Sequence, residues 1–112
     1  MRELYYRLEG RNPVPCSIKR MCETMDDKSR RVGLTNILGV RVSTVFLGIN
    51  HAWLGGPPVL FETMISGGVL DQYQERCSTY DEAERMHRRA VWQVLKWAWV
   101  PKFIQEAVWR KS

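Results

Sequence analysis

The stretch from Thr79 to Ala98 constrains the fold more than any other part of the chain. Ala83, Met86, His87, Ala90, Val91, Val94, Leu95 and Ala98 recur on one stripe at helical spacing, while Arg85, Arg88, Arg89, Gln93 and Lys96 fall off it. Thr79-Tyr80-Asp81-Glu82 reads as a capping box, in which the Thr79 hydroxyl accepts from one orphan amide and the Glu82 carboxylate from another. Asp81, Glu82 and Glu84 stand where the positive end of the helix dipole favours anions. Pro101 breaks or kinks the helix. A helix with one apolar stripe has to bury it, and the preceding sequence supplies a sheet to bury it against.

Val40 to Leu47 is the strongest strand signal. Val40, Val42, Thr44 and Phe46 take one face, and Arg41, Ser43, Val45 and Leu47 the other. Val59 to Ile65 alternates in the same way, with Val59, Phe61, Thr63 and Ile65 opposite Leu60, Glu62 and Met64. The loop between them is too short for a helical crossover, which predicts antiparallel pairing. Arg30 to Leu38 is a further strand, weakened by Gly33, with Asn36 to Gly39 as the turn into Val40. Leu4 to Leu8 favours extended structure and is followed by a tight turn at Glu9 to Asn12, after which Pro13 and Pro15 rule out a central strand. Ser17 caps a short helix to about Met25, with Ile18, Met21, Cys22 and Met25 on one side.

These elements predict one α+β domain over 1–112: a small antiparallel sheet of three to four strands packed against a long C-terminal amphipathic helix, with a short helix near the N-terminus. A Trp-rich helical extension occupies about 92–112, its last segment carrying Phe103, Ile104, Ala107 and Val108. At 112 residues and 45% apolar content the chain can form a single core, and disorder is not expected. A net charge of +5 permits an acidic partner, but the arginines are dispersed, as in an ordinary solubilising surface. Cys16, Cys22 and Cys77 lack metal-ligand or disulfide spacing, so no metal and no cofactor is expected. The first residues do not form a signal peptide and no stretch is long enough to cross a bilayer, which predicts a cytoplasmic protein without a transmembrane segment.

Chemistry is concentrated between the two strong strands. Asn50, His51 and Trp53 are followed by Gly55-Gly56 and Pro57-Pro58, a loop both permissive and braced, such as a rigid sheet uses to display a site. His51 offers a base or a hydrogen-bond donor to phosphate, Trp53 a stacking surface, and Glu62, mid-strand between Phe61 and Met64, an acceptor for a donor group, with Thr63 a further candidate binding residue. The bland alternative has His51 capping the loop, Trp53 covering the core edge, and Glu62 solvated or paired with Arg41. His87 reads as a hydrogen-bonded core histidine rather than a ligand. Trp92, Trp97, Trp99 and Trp109 form a second apolar surface, suited to a homodimer or another partner, or to packing back onto the domain.

Several short motifs resemble a family of small bacteriophage and prophage proteins of unknown activity. They are Val42-Ser43-Thr44-Val45, Leu47-Gly48-Ile49-Asn50-His51, Gly56-Pro57-Pro58, Phe61-Glu62-Thr63-Met64, Thr79-Tyr80-Asp81-Glu82-Ala83 and His87, covering about residues 40 to 90. Where that family has an aspartate before the histidine, this chain has Asn50, which weakens any metal or acid/base scheme there. The Trp-rich extension beyond Val91 departs from the pattern. The resemblance implies a phage origin, hence a bacterial-host cytoplasm, and supplies no activity.

The expectation is therefore a phage-encoded accessory protein that acts by binding, directed at a host protein such as a defence component or at its nucleotide signal. Two alternatives compete with it: a small nucleotide-processing enzyme using His51 and Glu62, and a nucleic-acid-binding module with salt-dependent affinity.

Overall fold

The computed structural model describes residues 3–98. The architecture is α+β, with two antiparallel sheets and two helices. β1 (Tyr6–Glu9) and β2 (Asn12–Pro15) form a hairpin, α1 (Ile18–Thr24) follows, and β3 (Arg31–Ile37), β4 (Val40–Phe46), β5 (Phe61–Ser66) and β6 (Gln74–Cys77) build a four-stranded meander before α2 (Tyr80–Ala98). The Trp-rich extension is described only as far as Ala98, so Trp99, Trp109 and the segment 102–110 lie outside the described residues.

α2 begins as its sequence dictates. The Glu82 amide donates to the Thr79 hydroxyl at 3.1 Å, and the Thr79 amide donates to the Glu82 carboxylate at 3.1 Å. Its stripe lies across the meander, touching all four strands. The core between them has three bands. Phe46, Leu60, Phe61, Ala83 and Tyr6 form one apolar cluster, and Val42, Ile65, Leu70, Ala90 and Val94 form another. Between the two, on the same faces of β4 and β5, sit Thr44 and Thr63, paired directly across the strands and fully buried. Phe61 anchors the first cluster, with its ring 5.4 Å from Phe46 and 5.8 Å from Tyr80.

Some elements differ from the sequence expectation. β2 contains both prolines, which is possible because it pairs with β1 alone and no central ladder is interrupted. β6 was not legible as a strand: Gln74-Glu75-Arg76-Cys77 lacks apolar alternation and is ordered by pairing with β5. β5 begins at Phe61 rather than Val59, although Leu60 still exchanges bonds with Leu47 and Cys77. The β3–β4 turn is confined to Leu38-Gly39, both left-handed at φ 53° and 77°.

The N-terminal hairpin is tied down at both ends. The Tyr6 amide donates to the Gly48 carbonyl at 2.8 Å, extending the sheet past β4. At the hairpin turn the Arg11 guanidinium lies 4.4 Å from the centre of the Tyr80 ring and pairs with Asp81 and Glu84 on the first turns of α2. α1 is capped by Ser17, whose hydroxyl accepts from the Arg20 amide at 3.1 Å. It seats Met21 against Gly48, where a side chain would collide with Met25 and Met21.

Candidate functional site

The β4–β5 connection leaves the sheet at Gly48 and is fastened at its base by one side chain. Asn50 is only 4% exposed. Its carbonyl oxygen accepts from the amides of Ala52 (2.9 Å) and Val59 (3.0 Å), bridging the two ends of the loop. Its amide nitrogen donates to the Glu3 carbonyl at 3.3 Å, and its backbone amide to Leu4 at 2.8 Å. An aspartate could accept the first two bonds but could not donate the third. The His51 amide adds a bond to Val59 at 3.0 Å. Asn50 is therefore a latch, with its side-chain oxygen and nitrogen and its backbone amide all engaged.

Beyond the latch the chain turns sharply. The Gly55 amide donates to the Ala52 carbonyl at 3.2 Å, placing Trp53 and Leu54 at the two corners. Gly55 and Gly56 return the chain with φ of 100° and 83°, values open to glycine and strained for other residues. The consequence is an apolar tip in water. Trp53 is 67% exposed and Leu54 fully exposed. His51 lies beside this tip, its ring centre 5.4 Å from that of Trp53. Trp53 does not cover the core edge.

The remaining expected site residues lie elsewhere. Glu62 is on the sheet face away from α2, where its carboxylate accepts from Arg76 at 2.8 Å rather than from Arg41. Thr63 points the other way, under α2, and bonds to Thr44. Asn50, His51, Trp53, Glu62 and Thr63 thus divide among a latch, a displayed tip, the open sheet face and the core. No hydrogen bond joins His51 to Glu62 among the described residues. Leu54 was missed by sequence reasoning, although an apolar residue just before two turn glycines was a usable signal.

His87 shows the opposite situation. Its Nδ1 lies 2.7 Å from the Thr44 hydroxyl and its Nε2 2.8 Å from the Thr35 hydroxyl. Its ring lies over Gly33, where an added Cβ would come within 3.0 Å of three ring atoms. Burial pushes its pKa below the ordinary value. A threonine beside an imidazole has the form of a nucleophile and base. Thr44, however, is fully buried and is bonded in turn to Thr63. This is a polar band inside the core, as expected of a hydrogen-bonded core histidine. Cys77, half-buried, has its thiol pushed up to about 11, chiefly by desolvation, and is protonated at neutral pH.

The tryptophans also separate. Trp97 packs against the Val42–Ile65–Val94 cluster, whereas Trp92 is 62% exposed on the outer side of α2. Among the described residues no three His, Cys, Asp or Glu side chains converge as a metal site, and no helix is long and apolar enough to cross a membrane. The chain matches no protein-family model, and neither a curated protein nor a solved structure is significantly similar to it.

Proposed function

We propose that this protein acts by binding, as a phage-encoded accessory protein that presents the Trp53–Leu54 tip to a host protein, such as a defence component. One observation carries the reading: the loop is latched at its base by Asn50 while two large apolar side chains stand in water at its tip. Scattered exposed apolar residues are ordinary, but two adjacent ones at a braced turn are held ready for contact. Pre-ordering the loop reduces the entropy lost on association. Burying Trp53 and Leu54 on a partner contributes on the order of 4 kcal/mol, roughly a thousandfold in affinity. His51 adds a polar group at the rim of that contact. The phage origin rests on the motif resemblance over residues 40 to 90.

The outer side of α2 supports a second contact of different character. Trp92 stands among Arg85, Arg88 and Lys96, all exposed. This favours an acidic partner surface over a homodimer through the same face, since a second copy would set like charges together.

Replacing Trp53 with the photocrosslinker benzoylphenylalanine in a bacterial host tests the main reading. A discrete adduct is expected at position 53 and none at Gln74, an exposed position on the sheet face away from α2. Equal labelling at both positions, or none at 53, contradicts it.

A further inference from the structure

Three of the arginines dispersed along the sequence meet around one hollow. β3 and β4 place Arg31, Arg41, Ser43 and Val45 on the sheet face opposite α2, with Arg31 in register with Val45 and Arg41 with Asn36. Arg30, just before β3, is pinned by a bond from its Nε to the Phe46 carbonyl at 3.3 Å. With Asp27 these residues line an open concavity of about 240 Å³. Arg7, Arg11, Arg20, Arg76 and Arg89 each have a carboxylate partner. Arg30, Arg31 and Arg41 have none among the described residues. Unpaired cations gathered on a stiff sheet, with a hydroxyl at the floor, form a preorganised anion receptor.

The chemistry narrows the anion. Three guanidinium groups against one carboxylate leave a formal charge of two, which suits a dianion better than a carboxylate. Forked donors match phosphoryl oxygens. No aromatic side chain lines the hollow, so it offers no stacking surface for a base. The charge also stops short, because Glu62 on the neighbouring strand β5 neutralises Arg76 on β6, and a long polyanion would find no continuing track.

We propose that this hollow binds the phosphoryl group of a small phosphate ester, such as a nucleotide, with Arg31 and Arg41 clamping it from two sides. Arg30 and the Ser43 hydroxyl complete the contact. The site is separate from the Trp53–Leu54 tip and does not depend on it.

Calorimetric titration at low salt with pyrophosphate, adenosine monophosphate and single-stranded oligonucleotides of increasing length tests this. Saturable binding of the two small phosphates is expected, weakened at least tenfold by Arg31→Gln or Arg41→Gln. Arg41→Lys, which keeps the charge but loses the fork, is expected to fall between wild type and Arg41→Gln. Arg89→Gln on α2, which removes the same charge away from the hollow, is expected to bind as wild type. Absence of saturable binding overturns the proposal, as does equal weakening by Arg89→Gln. Affinity that climbs with oligonucleotide length overturns it too, by pointing to a nucleic-acid track.

Discussion

The two histidines mark two regions built on opposite terms. His87 sits between the helix and the sheet with both ring nitrogens bonded to threonines and a glycine beneath its ring. His51 stands at the rim of a loop whose tip is apolar and wet. In the first region polar groups face inward and are satisfied. In the second, the polar group that matters structurally, Asn50, is hidden at the base, and apolar groups face outward. Burial with full hydrogen bonding marks a residue that holds the fold. Exposure on a latched backbone marks one available to something else.

The largest expected effect lies in the inner region. Phe61→Ala removes the ring between Phe46 and Tyr80, and urea denaturation should show a loss of about 3–5 kcal/mol. An effect below about 1 kcal/mol would mean that the first apolar cluster is not a working core. Thr44→Val keeps the shape of the polar band but leaves His87 Nδ1 and Thr63 each without that hydroxyl. It should cost about 1–3 kcal/mol. Asn50→Ala should cost a similar ~1–3 kcal/mol, because two backbone amides lose their acceptor. These two losses show that the latch belongs with the core in kind, though it lies in the loop.

The pH response is smaller and tests the inner region through His87. Burial holds the folded-state pKa of His87 below its ordinary 6.5, so the unfolded chain takes up the proton more readily. The stability contributed by the neutral ring is complete above about 6.5 and is lost as pH falls from there through the folded-state value. Thermal midpoints should therefore drop on acidification below about pH 6.5, and less steeply in His87→Asn. An unchanged slope in His87→Asn would contradict the role given to its ring.

Legibility in the sequence followed the range of the determining interactions. The capping box and stripe of α2, and the alternation of β4 and β5, are local patterns, and the structure reproduces them. The bonded state of His87 was legible because its place on the stripe required a partner. β6 was not legible, since its four residues become a strand only through β5 and through the Glu62–Arg76 pair. β2 was hidden by prolines that an isolated hairpin edge tolerates. The loop was legible as a candidate site, but not the division of labour within it, because Asn50 gains its partners from Glu3 and Val59, far apart in sequence. The arginine hollow depends on the β3–β4 register, including the irregularity between Arg31 and Gly33, and no spacing rule reveals it.

The most direct measurement takes the double variant Trp53→Ala, Leu54→Ser and reads its unfolding free energy and its association with whatever protein crosslinking at position 53 captures. Unfolding should stay within about 0.5 kcal/mol of wild type while association is lost. A loss of stability above about 1 kcal/mol, or association that survives, would show that the tip serves the fold or serves nothing, and would contradict its role as the contact surface.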